Sequence, residues 1–137
     1  MIDMKLTGRT IAVLEQSLNL RARNQQVISG NIANAETPGY SAKRLSFEDD
    51  LQRAISRPEL DHKATHPRHF PVGTVGIDQV QGRITEDVNT STIGDGNSVS
   101  LEEEMLALSE NQLLYEAGTQ ILKKKLSLLK YVAADGR

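Results

Sequence analysis

What most constrains this chain is a helix-length run of apolar residues at three- and four-residue spacing near each end, separated by a middle that cannot be helical. In the first run Ile11, Leu14, Leu18, Arg21, Gln25, Ile28, Ile32 and Ala35 form one stripe of an amphipathic helix. Arg21 and Gln25 interrupt the stripe. A polar residue at a seam position costs stability and specifies register or partner, whereas the bland reading is an arginine stem lying along a globular surface. Pro38 biases Thr37 away from the helical region and Gly39 permits a turn, so the helix is expected to stop near Ala35 or Glu36.

In the second run Leu101, Met105, Leu108, Gln112, Tyr115, Thr119, Leu122, Leu126, Leu129 and Ala133 alternate spacings of four and three, a heptad seam. Ser100 with Glu103 has the pattern of a capping box that opens this helix. Glu102, Glu103 and Glu104 at its start and Lys123, Lys124, Lys125 and Lys130 toward its end suit the helix macrodipole. A second row, Leu106, Leu113, Ala117, Ile121 and Leu128, widens the apolar face and implies contact with more than one neighbouring helix. Gly118 weakens an isolated helix, and close approach of another backbone would compensate.

Between the runs stand Pro58, Pro67 and Pro71 and glycines 73, 76, 82, 94 and 96. Gly73 to Val80 and Arg83 to Val88 are the strand candidates, pairing as a small hairpin, and Asn89 to Asn97 reads as a loop. The expected fold is mostly α: two long terminal helices packed as a coiled-coil-like pair, with an irregular middle segment containing a small β-hairpin. Residues 1–56 and 98–137 would build one helical domain from both termini, and 57–97 the irregular segment.

At 137 residues the chain has the length of one domain, yet only 38% of it is hydrophobic, below the roughly 45–50% of ordinary domains. Some apolar surface is therefore expected to be reserved for partner chains. A net charge of -2 gives no positive field to hold nucleic acid. There is no cysteine, hence no disulfide and no thiolate chemistry. The first residues lack the apolar core of a secretory signal, and no window approaches the roughly 20 apolar residues of a membrane span, so no cleavable signal and no direct lipid binding are expected.

Catalysis finds no footing in the residues. His62, His66 and His69 invite a metal reading, but Pro67 and Pro71 prevent the regular helix that would align them, and no glutamate follows His62 as a base. No nucleophile elbow or phosphate-binding loop occurs. Glu48, Asp49 and Asp50 read as a solvated helix face. No enzyme activity, cofactor or metal is expected.

The most distinctive stretch is Ile28-Ser29-Gly30-Asn31-Ile32-Ala33-Asn34-Ala35-Glu36-Thr37-Pro38-Gly39-Tyr40. Its small residues allow tight helix packing, and Asn31 and Asn34 could bond a partner's backbone and fix register. It resembles the N-terminal motif of the axial proteins of the bacterial flagellum, the rod and hook family. Asn97, Val99, Leu101, Glu102, Glu104, Met105, Leu108, Asn111, Gln112, Leu113 and Tyr115 resemble that family's second signature. The short length, Phe47 and Leu51 after the Pro38-Gly39-Tyr40 turn, and Thr65-His66-Pro67-Arg68-His69 place the resemblance at the proximal rod end of the family.

The resemblance implies a structural subunit of the basal-body rod that polymerises with related axial proteins into a hollow, periplasm-spanning drive shaft and export conduit. Assembly residues would be Leu14, Leu18, Arg21, Gln25, Ile28, Asn31, Ile32, Asn34, Met105, Leu108, Gln112, Tyr115, Leu122, Leu126 and Leu129. Implied partners are neighbouring rod subunits and, at the proximal end, the basal-body adaptor FliE and the flagellar type III export gate. Export through that gate would need no cleavable signal, and Phe47 with Leu51 matches the Phe-x-x-x-apolar element of related early substrates. A helical adaptor or secretion chaperone that binds a partner through the same amphipathic ends is the competing reading.

Overall fold

The computed structural model describes residues 4–56, 76–87 and 99–135. In chain order these form α1 (Met4–Ala33), β1 (Ala42–Ser46), α2 (Glu48–Ser56), a 3-10 turn (Ile77–Gln79), β2 (Arg83–Asp87) and α3 (Leu101–Asp135). The two terminal helices, 30 and 35 residues long, pack against each other. At 1.5 Å per residue each runs for about 45–50 Å.

Helix α1 ends two residues before the expected stop. Asn34 N–H bonds the carbonyls of Gly30 and Asn31, the Asn34 side-chain amide reaches back to Gly30 O at 2.8 Å, and Gly39 turns the chain at φ 73°. These bonds satisfy last-turn carbonyls that a helix end leaves without partners. Helix α3 starts where Ser100 was expected to cap it: Glu103 N–H points to Ser100 Oγ at 3.5 Å, and Glu104 N–H donates to the Ser100 carbonyl at 3.0 Å.

The middle carries the small antiparallel sheet, and β2 lies where the second strand candidate placed it. Its partner is Ala42–Ser46, in register Ala42 with Asp87 through Ser46 with Arg83. Of the first candidate, Gly73 to Val80, the described part forms a 3-10 turn over Ile77–Gln79 instead, closed by Gln79 N–H to Gly76 O. Because β2 belongs to the 57–97 segment and β1 to the 1–56 segment, the sheet ties the two together. His62, His66, His69, Pro58, Pro67, Pro71 and the Asn89–Asn97 loop lie outside the described residues.

A compact apolar core forms beside the helix pair rather than along it. Leu20 from α1, Leu45 from β1, Phe47, Leu51 from α2 and Val80 are buried together, with Val27, Ala54 and Ile77 against them. Arg21 lays its guanidinium over the Phe47 ring, 5.5 Å from the centroid, which accounts for one polar interruption of the α1 stripe. Gln16, Arg23 and Arg9 donate to the carbonyls of Val80, Gln81 and Ile55. Helix α1 thereby reaches loop carbonyls and a last-turn carbonyl of α2, groups that helix and ladder bonding leave open. Gly82 sits at φ 69° with room for no Cβ: Phe47 Cβ would lie at 3.0 Å and Ser46 O at 3.2 Å.

Candidate assembly interface

The seam between α1 and α3 is held by polar groups at heptad spacing. Asn31 faces Glu104, with Nδ2 donating to Oε2 at 2.9 Å; Asn24 faces Asn111 at 3.3 Å; Leu18 faces Gly118, whose added Cβ would lie 3.1 Å from Leu18 Cδ2. Numbers falling along α1 meet numbers rising along α3, so the helices are antiparallel. The layers recur every seven residues on α3, as in an antiparallel coiled coil.

Asn31 is fully buried and closes the tightest of these layers. Besides Glu104 it donates to Lys43 O at 2.8 Å and accepts from Lys43 N at 2.9 Å, in effect pairing with β1 as a strand edge would. Tyr40 OH also approaches its Oδ1, at 3.4 Å. The Glu104 carboxylate is likewise fully buried. Its Oε1 lies 2.7 Å from Arg44 Nη1 as an ion pair, without receiving a well-directed hydrogen bond. Asn111, also buried, donates to the Arg21 carbonyl at 2.9 Å. Polar groups in such a seam have partners only in one register, so they fix it at some expense in stability.

This seam is rotated from the one read off the sequence. Leu108, Leu122 and Leu129 are half-buried, but Leu101, Met105, Gln112, Thr119, Leu126 and Ala133 are exposed. Their places are taken by Glu104, Asn111, Gly118 and the half-buried Lys125. Apolar spacing found only half of this contact, Leu108, Leu122 and Leu129, because its other positions carry a carboxylate, an amide, a glycine and a lysine, none of which counts as apolar.

Of the other residues singled out, Ile28 is buried, Leu14, Leu18, Arg21, Ile32 and Asn34 are half-buried, and Gln25 is exposed. Tyr115 borders the exposed side. Gln112 bonds Glu116 one turn on. The backbone that Asn31 bonds is that of its own chain, and Asn34 serves its own helix end. Phe47 and Leu51 sit in the small core. Asn24, Tyr40 and Arg44 were missed; the seven-residue spacing of Asn24 with Asn31, matched by Glu104 with Asn111, is the signal that would have found the first.

On the side of α3 turned away from α1 lies the second apolar row, uncovered. Leu106, Leu113, Ile121 and Leu128 are exposed at 72, 67, 54 and 55%. A helix that is apolar on opposite sides ordinarily lies between other helices. Isolated exposed leucines need no explanation, but a continuous row marks a contact surface. Among the described residues no helix is long and apolar enough to cross a membrane.

Two helices drawn from opposite ends of the chain, pinned by polar layers and bearing an unused apolar face, define a helical structural subunit. The sequence profile of the flagella basal body rod protein matches residues 11–40, the stretch that carries Asn31, Asn34 and the Pro38 stop. Relatives of similar length extend the match over the chain. The flagellar basal body rod protein FlgB of Bacillus subtilis is 34% identical over 134 residues, 98% of this chain and all of its own length. FlgB of Salmonella typhimurium is 32% identical over 89% of this chain and 91% of its own, and FlgB of Escherichia coli 30% over the same shares. The chain belongs to the flagellar basal body rod protein family and is a structural component of the basal-body rod.

Proposed function

We propose that this subunit polymerises, with its own copies and with related axial proteins, into the hollow periplasmic rod that transmits torque and conducts exported subunits. The observation that carries this reading is the outer row of α3: a chain that folds by itself has no use for four large apolar side chains more than half exposed on one helix. Neighbouring subunits would cover that row and also the exposed Met105, Gln112 and Leu126, which lie on the helix nearer its contact with α1. Leu14, Leu18, Ile28, Leu108, Leu122 and Leu129 act at one remove, by setting how α1 and α3 lie. The helical unit then comprises residues 1–56 and 98–137, and the adaptor FliE and the export gate are its partners at the proximal end.

Export would proceed through the flagellar type III route without a cleavable signal. Phe47 and Leu51 are buried in the folded chain, so they engage the gate only before the core forms.

The test is Leu113→Asp in a strain lacking the natural gene. Because Leu113 is exposed, the isolated variant should keep the helix content of the natural protein, while rods and motility are lost. Normal basal bodies built by that variant would sink the proposal.

A further inference from the structure

The outer row of α3 has an internal symmetry that rod assembly does not require. Leu106, Glu110, Leu113, Ala117, Ile121, Lys124 and Leu128 lie on one line, with Ala117 at its midpoint. Positions equidistant from Ala117 match in chemistry: Leu113 with Ile121, Glu110 with Lys124, Leu106 with Leu128. All seven are exposed. The ends and midpoint of the row recur every eleven residues, about 3.7 per turn, so the row runs nearly straight along the helix.

We propose that two copies of the chain pair through this row, antiparallel, on a two-fold axis passing through Ala117. In that arrangement each leucine meets an apolar residue of the second copy, and each Glu110 meets a Lys124 twice over. A parallel pair would set Glu110 against Glu110 and Lys124 against Lys124, which repel. The exposed Glu102 and Glu103 of the first turn would likewise meet their own counterparts in a parallel pair and not in an antiparallel one. Ala117 at the axis is small enough to let the two backbones approach.

Such a pair is isologous and closed: each copy uses the same patch, so nothing grows from it. A helical rod needs the opposite, a heterologous contact in which the row of one subunit meets a different surface of the next. The antiparallel dimer therefore shields the row in the free protein and must come apart before assembly. One helix pair is a small interface, below roughly 1,200 Å², so the association is weak and reversible.

The absence of cysteine makes the arrangement directly testable by single-cysteine cross-linking of the full chain. Ala117→Cys should oxidise to a dimer, since the two positions meet on the axis. Leu106→Cys alone should not, because its two copies would stand about 33 Å apart along the helices. An equimolar mixture of Leu106→Cys and Leu128→Cys should give the mixed disulfide. Without oxidant, sedimentation should show a monomer–dimer equilibrium that Glu110→Lys weakens roughly tenfold and that adding Lys124→Glu restores. Circular dichroism checks that each variant keeps its helices. Equal cross-linking at all three positions, or a monomer that persists up to about 500 µM, overturns the proposal.

Discussion

Replacing Asn31 tests whether the polar seam, rather than apolar burial, sets the helix register. Asn31→Ala removes three well-formed bonds, to Lys43 N, Lys43 O and Glu104 Oε2, all between 2.8 and 2.9 Å. Lys43 is exposed, so water can replace part of what its backbone loses. Glu104 is fully buried and cannot be rescued in that way, and its stranded oxygen carries most of the cost. A bond to a charged group and one orphaned buried acceptor sum to about 2–4 kcal/mol, a large fraction of the roughly 5–15 kcal/mol that holds a domain together. Asn31→Asp keeps the shape but aims a second carboxylate at Glu104 and removes the donor to Lys43 O. It should cost at least about 2 kcal/mol more than alanine at neutral pH. Urea unfolding followed by circular dichroism measures all three proteins, with equal slopes as the check that one transition is compared. An alanine variant within about 0.5 kcal/mol of the natural protein, or an aspartate variant no worse than alanine at neutral pH, would refute the reasoning.

Three further outcomes follow from the geometry. Gly82→Ala should destabilise by about 1–3 kcal/mol in the same urea assay, because it forces a side chain into the left-handed region and against Phe47 and Ser46. Gly118→Ala should be neutral to stabilising by up to about 1 kcal/mol, since helix propensity improves and the only obstacle is the movable end of Leu18; a clear loss of stability would mean that Leu18 has nowhere to go. Phe47→Ala should cost about 3–4 kcal/mol through the cavity it leaves, and it should also stop secretion of the chain. Gly82→Ala, which weakens the same core but leaves Phe47 in place, should still be secreted; equal secretion by both would remove Phe47 from any role at the gate.

The sequence revealed the helices plainly and their contacts poorly. Pro38 and Ser100 set the end of α1 and the start of α3 to within two or three residues, whereas α1 begins at Met4, ahead of the first residue of the apolar stripe, Ile11. Strand β1 was invisible: Ala42-Lys-Arg-Leu-Ser has little β propensity, and only Ala42 and Leu45 are buried, three apart rather than two. That segment is extended because Asn31 bonds both backbone groups of Lys43 and because β2 pairs with it, and neither partner is local. The seam was displaced for a related reason. Hydrophobic spacing locates apolar rows, and α3 has more than one, so counting could not say which α1 would choose. The choice fell on the row whose polar groups, Glu104 and Asn111, find partners on Asn31, Asn24 and the Arg21 carbonyl.

The two sides of α3 consequently divide the work between specificity and free energy. Within the chain the helices meet through amides, a carboxylate and a glycine, which discriminate strongly against other registers but return little net stability after desolvation. Apart from Leu108, Leu122 and Leu129, which are half-buried, the large apolar side chains of α3 are exposed and would gain stability when another chain covers them, at about 25 cal/mol for each Å² removed from water. A subunit built in this manner presents a defined shape while remaining incompletely stabilised until it joins its neighbours. Completing the outer contact should therefore raise the stability of the inner one, because both depend on α3 remaining a single straight helix. Hydrogen exchange at α3 amides that is slow in assembled rods and faster in the free chain would register that coupling, and identical protection in both states would show that the two sides of the helix are independent.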